Sequence, residues 1–230
     1  MFVSLSPLKQ LAKGYVWRGQ GQSVFANILK YIRMGASSNF GNMFSVLGAS
    51  AFLPFLPMAP IQILINNMLY DFAQVPIPND AVDDEQVAMP RPWKISEIRR
   101  FILGVGPISS IFDYVTFFLM LWVFKCWDPS LSSLFQTGWF VESLMTQTLI
   151  IHVIRTNKIP FLQSRASWPL MLTTFIIVAF GAWLPYSPMA YSLGLTRLPG
   201  TYWPFLLLIL FAYTSLTQAV KVWLLRMKWI

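Results

Sequence analysis

The chain has 230 residues, of which 56% are hydrophobic and only 11% charged, far from the roughly 25% charged content of an ordinary soluble domain. That balance excludes a water-soluble globule, and the net charge of +8, from 17 basic and 9 acidic residues, suits anionic lipid headgroups and requires no nucleic acid. A single cysteine, Cys126, excludes an internal disulfide, and a single histidine, His152, leaves no Cys/His metal cluster.

The first 22 residues, "MFVSLSPLKQLAKGYVWRGQGQ", are basic and acid-free but lack the uninterrupted apolar core of a secretory signal. Next, Phe25, Ile28, Leu29 and Ile32 recur at i, i+3, i+4 and i+7, which predicts an amphipathic stalk helix running straight into the first membrane span. Apolar runs bounded by charge, Pro or Gly then predict six spans, at about 35–55, 60–76, 101–125, 135–156, 167–185 and 202–224. Each approaches the ~20 residues that a hydrocarbon core demands. The link "PFLPMAP" between spans one and two reads as a tight helical hairpin, and the Pro-rich, acidic stretch 74–94 as the longest loop, with no helix of its own.

Basic residues concentrate in cytoplasmic loops. With the N-terminus inside, every Lys and Arg except Lys125 and Arg197 falls on the cytoplasmic side. The expected fold class is therefore an all-α membrane protein: six transmembrane helices with an N-terminal amphipathic stalk and both termini cytoplasmic, multi-pass in the inner membrane.

Ionisable groups inside a span are costly and mark function. Asp71, Asp113 and Glu142 qualify, and the amides Asn39, Asn42, Asn66 and Asn67 accompany them. Asn39 and Asn42 share one helix face, as do Asn67 and Asp71. At 1.5 Å per residue Asn42 and Asp71 both lie ~17 Å from the hairpin turn, so they are expected to meet across antiparallel neighbours. One carboxylate among amide oxygens suits a hard divalent cation, and the low carboxylate count leans to Mg²⁺, which keeps several of its waters. The bland alternative is that the amides are interhelical hydrogen-bond glue worth ~1 kcal/mol each. Asp113 reads as structural and His152 as a packing residue, while Glu142 reads as a candidate second carboxylate. Ser37, Gly41, Ser45 and Ala49 form a small-residue stripe, which predicts close helix approach and a central place for span one. Tryptophans and tyrosines near the span ends, such as Trp127 and Trp203, read as an interfacial belt.

"SSNFGN" at 37–42 followed by "NNMLYD" at 66–71 resembles the fifth and sixth membrane helices of P-type cation-transporting ATPases. The run from "FANILKYIRMGASSNFGN" onward, with "FILGVGPISSIFDYVTFFLM", "LFQTGWFVESLMTQTLIIHVIRTNKIPF" and "WPLMLTT", resembles the bacterial magnesium-transporting branch, over residues 23–230. The resemblance implies the last six of ten membrane helices, with Asn39, Asn42, Asn67 and Asp71 in the ion pathway, Glu142 in the eighth helix beside it, and Mg²⁺ as the transported ion. Calcium-pumping relatives carry a carboxylate where this chain has Asn42, which favours magnesium.

The family's "DKTGT" phosphorylation motif, its "TGE" loop and its nucleotide-binding domain have no counterpart in these 230 residues, so the resemblance implies no ATP site and no covalent catalysis in this chain. It implies a membrane module working with a separate chain that carries the catalytic domains and the first four helices. Two other readings stand beside it: a truncated remnant or modulator of an intact pump, and a free-standing passive cation channel or carrier.

Overall fold

The computed structural model describes residues 6–83, 95–227 and 229, the side chains of 6–20 and 22 excepted. The acids Asp84 and Glu85, the basic residues Arg91, Lys94 and Lys228, and the side chains of Lys9, Lys13 and Arg18 lie outside that set. The described residues form six α-helices: α1 Ser6–Ser50, α2 Pro60–Gln74, α3 Ile95–Phe118, α4 Ser132–Ile154, α5 Trp168–Trp183 and α6 Tyr202–Arg226. Short 3₁₀ turns punctuate the loops, α3 widens into a π-turn at Leu119–Val123, and no strand occurs among the described residues.

Among the described residues, three stretches are long and apolar enough to cross a bilayer: Ile95–Val123, Trp168–Tyr186 and Tyr202–Arg226. α2 has only 15 residues, or about 22 Å at 1.5 Å per residue. It ends at Gln74, two residues short of the predicted span. One 3₁₀ turn, Ile77–Asn79, follows it inside the stretch read as wholly irregular.

The stalk is continuous with the first span, as predicted, but α1 begins at Ser6, well before Phe25. Its buried face also differs from the predicted stripe. Ile28 is exposed, whereas Asn27, Lys30 and Met34 are buried. They follow the same helical period two positions on from Phe25, Ile28 and Ile32, which puts them on nearly the opposite face of the helix. The stalk is held by a polar network in place of apolar burial: Asn27 Nδ2 donates to Pro78 O (2.9 Å) and Asp80 O (3.2 Å), and Lys30 Nζ donates to Ala81 O (3.0 Å).

The central helix is α4, not α1. Nearly every residue from Phe135 to Ile154 is buried, the pattern of a helix surrounded on all sides. α1 packs chiefly on α3, and there its small-residue stripe does what its spacing predicts. Ser110 Oγ donates to Gly41 O (2.9 Å), Ser45 and Ala49 are fully buried, and a Cβ at Gly41 would meet Ser109 Oγ and the Gly106 carbonyl. α1 presents its other side, with Met43, Phe44 and Leu47, outward.

At the opposite end of the bundle from the stalk, α2 opens with Pro60 in its first turn. The Ala59 N–H donates to Gln62 Oε1 (3.1 Å), and Gln62, fully buried, sends Nε2 to Leu193 O (3.0 Å) and Gly194 O (3.2 Å). Gly194 sits at φ +65°, a conformation open to glycine. One glutamine thus caps α2 and ties the loop between α5 and α6 to it.

Candidate functional site

α1 and α2 do not pack on each other as the hairpin reading expects. Both lean on α4, and an open groove separates them. Tyr31, Gly35 and Asn39 line it from α1; Asn67, Asp71 and Gln74 line it from α2, around a volume of about 460 Å³. A second cavity of about 450 Å³ adjoins it, with Asn39 and Asn67 shared between the two and Asn42 added.

The arms stand apart because the side chains that would close them are otherwise engaged. Ser37, Gly41, Ser45 and Ala49 turn toward α3, while Gln62, Asn66, Leu69 and Ala73 turn toward the bundle. What remains for the groove is the amide face of α1 and the Asn67/Asp71 face of α2. Asp71 is exposed and lies one turn from the end of α2, and Gln74, 2% exposed, ends the lining at the stalk side with neither amide atom hydrogen-bonded.

The structure therefore brings Asn39, Asn67 and Asp71 onto one cavity, and Asn42 onto its neighbour. Glu142 is elsewhere. It is fully buried on α4 with its carboxyl against that of Asp113, and it lines neither cavity. Asp113 in turn accepts from Trp139 Nε1 (2.8 Å) and Ser45 Oγ (2.5 Å). The α4 face that carries Glu142 points to α3 and α6, away from the groove. Its position along the helix was readable from sequence, and its rotation about the helix axis was not. His152, expected toward the cytoplasmic end of its span in a packing or interfacial role, is buried and meets Thr174 Oγ1 at 2.9 Å.

Sequence reasoning passed over Gln147 and Ser143. Gln147 Nε2 donates to Ser143 Oγ (2.7 Å) and to Asn42 Oδ1 (3.2 Å), so α4 holds the Asn42 amide from behind. Two polar residues four apart on a helix as apolar as α4 were the available signal. Asn66 was noticed as an intramembrane amide and left out of the site. It lies behind the groove, with Nδ2 donating to Phe140 O at 3.3 Å.

At the stalk end, a buried charge cluster joins four segments. Asp80 accepts from Arg155 Nη1 (3.1 Å), Lys30 Nζ (3.4 Å) and the Ser167 N–H (3.0 Å). Asp83 accepts from Thr156 Oγ1 (2.8 Å) and the Asn157 N–H (2.9 Å). Burial pulls the Lys30 ammonium below the ordinary lysine range, and the neighbouring Asp80 carboxylate offsets part of that.

The model of the family described as "Cation transporting ATPase, C-terminus" matches residues 55–223, which is most of the chain. The chain belongs to that family. Among curated relatives of this chain, "Magnesium-transporting ATPase, P-type 1" of Escherichia coli (strain K12) is 57% identical over 202 residues. Two proteins of the same name from Salmonella typhimurium (strain LT2) are 56% and 50% identical over the same length. Each alignment covers 88% of this chain and 22% of the relative. The chain thus spans about a fifth of the magnesium-transporting pumps it matches, and it corresponds to their C-terminal membrane region.

Proposed function

We propose that this chain is the cation-holding membrane module of a magnesium-transporting P-type ATPase, completed by catalytic domains and further helices. The observation that carries the reading is the groove. Asp71 supplies one carboxylate, and Asn39 and Asn67 supply amide oxygens on one open-sided cavity, with Asn42 on the next. A divalent cation that parts with its water reluctantly suits such a site, because a groove of about 460 Å³ has room for waters that the sparse protein ligands leave in place. Six spans with both termini cytoplasmic set the stalk and its charge cluster on the cytoplasmic side, where a phosphorylated domain would push or pull on α1. The open flank of the groove is where the further helices of the pump would close the site.

Mn²⁺, a spin-active stand-in for Mg²⁺, tests this. The chain in lipid nanodiscs is expected to bind Mn²⁺ competitively with Mg²⁺ in an electron-spin-resonance titration. Asp71→Asn is expected to weaken binding by at least tenfold, since it removes the only carboxylate among the described residues that line the groove. Binding indifferent to Asp71 rejects the site. Co-expression with a DKTGT-bearing partner is expected to yield a co-purifying pair whose phosphorylation depends on both chains.

A further inference from the structure

Behind the groove lies a much smaller cavity, about 30 Å³, lined by Asn42, Asn66, Asn67 and Ser143 together with apolar Val46, Met58, Ile63 and the ring of Trp139. That exceeds the roughly 10–15 Å³ a single water or small ion occupies by this measure. It is far below what a cation with a full hydration shell requires. Three helices supply the polar lining: Asn42 from α1, Asn66 and Asn67 from α2, and Ser143 from α4.

Asn66 is the informative member. It is 2% exposed, its Oδ1 has no hydrogen-bond partner, and its Nδ2 meets the Phe140 carbonyl at 3.3 Å. A backbone carbonyl only accepts, so the nitrogen must be the end that faces it. The amide is thereby fixed in orientation, and the oxygen is the end left for the cavity. An unmade hydrogen bond at a buried oxygen is costly; an electropositive occupant removes that cost. Asn42 is restrained from the same direction by Gln147, so two of the amides are oriented by α4 before anything binds.

We propose that Asn66 is a further cation ligand and that this cavity is an inner subsite of the groove, taking a divalent cation that has shed waters on the groove side. The inference rests on the groove being a cation site. It gives that site two stations: an outer one with room for a hydration shell beside Asp71, and an inner one of neutral oxygens sized for a largely dehydrated ion.

Asn66 also bridges α2 to α4, and the test must separate bridging from ligation. Asn66→Asp does so, because it deletes the donor to Phe140 while keeping and charging the free oxygen. In nanodiscs the Asn66→Asp chain is expected to bind Mn²⁺ about tenfold more tightly than wild type despite a lower melting temperature. Asn66→Leu is expected to bind about tenfold more weakly, and where that variant does not fold the Asp variant decides alone. Wild-type binding that depends on Asp71 but is unchanged or weakened in Asn66→Asp overturns the inner subsite and leaves the groove standing. An absence of Mn²⁺ binding in wild type overturns both.

Discussion

Asp80 and Arg155, 75 positions apart in sequence, pair at 3.1 Å with both side chains essentially sealed from solvent, and Lys30 of the stalk completes the cluster at 3.4 Å. One carboxylate therefore offsets two buried cations, on α1 and just past α4. Removing one member of a buried pair costs about 3–5 kcal/mol, because the charge left behind is uncompensated. Asp80→Asn is expected to lower the unfolding free energy of the detergent-solubilised chain by an amount in that range, read out as a lower melting temperature. Adding Lys30→Met is expected to recover part of it. A melting temperature unchanged by Asp80→Asn would show that the cluster does not hold the stalk.

Lys30 gives the cluster a pH signature. Its folded-state pKa lies below the ordinary value of 10.5, chiefly because of burial. The unfolded chain then binds more protons across the interval that ends at 10.5, and stability rises with pH there. Below the folded pKa both states are protonated and the difference is constant. The melting temperature of wild type relative to Lys30→Met is expected to climb as pH approaches 10.5, and a falling difference would mean that the Asp80 attraction outweighs burial.

Two glycines on α1 should respond oppositely to the same change. A Cβ at Gly41 meets the Gly106 carbonyl at 3.0 Å, a backbone atom that cannot rotate aside, as well as Ser109 Oγ. A Cβ at Gly35 meets nothing within 4 Å. Gly41→Ala is expected to cost about 1–3 kcal/mol through overpacking of α1 on α3. Gly35→Ala is expected to gain up to about 1 kcal/mol from helix propensity. Thermal melting of the two single variants checks both signs.

The contrast shows what the sequence made legible. Helix positions, the stalk's continuity and the small-residue face of α1 follow from local periodicity, which a single chain displays without its neighbours. Three- and four-residue spacing put Asn39 with Asn42 and Asn67 with Asp71 on shared helix faces, but the hairpin count that had Asn42 meet Asp71 did not foresee the open groove, where Asp71 lines one cavity and Asn42 its neighbour. The choice of α4 as the centre did not follow, because its Glu142, Gln147, His152 and threonines read as polar positions that avoid a core, yet they find partners or companions inside the bundle, and burial reverses the usual reading of polarity. Nor did the buried stalk face follow, since Asn27 and Lys30 are hidden by contacts to residues 78–81, some fifty positions away.

Lys221 illustrates the same long-range effect with a measurable consequence. Near the end of α6, its Nζ donates to Val153 O (2.9 Å), Thr156 O (3.0 Å) and Lys158 O (3.1 Å). These carbonyls belong to the last turn of α4 and the loop beyond, where a helix has acceptors without intrahelical donors and a negative dipole end. Lys221→Met keeps the aliphatic stem and removes all three bonds. It is expected to cost about 3 kcal/mol, with Lys221→Arg retaining part. A Met variant as stable as wild type would assign the carbonyls to other donors.

Cys126 offers a probe of packing where α3 turns into α4. The thiol is fully buried, and burial pushes its pKa from 9.0 up to about 11. Only the thiolate reacts with maleimide, so near neutral pH the reactive fraction is roughly a hundredfold below that of an ordinary thiol, each pKa unit being worth a factor of ten. The labelling rate is expected to rise log-linearly with pH beyond 9 and to level only near 11, whereas an exposed thiol levels near 9. Unfolding the chain in detergent is expected to restore ordinary kinetics. Labelling of the intact chain that saturates near pH 9 would place Cys126 at a water-filled surface, and the packing of the α3–α4 turn against Tyr202, which lies 6.0 Å from Phe124, would be wrong with it.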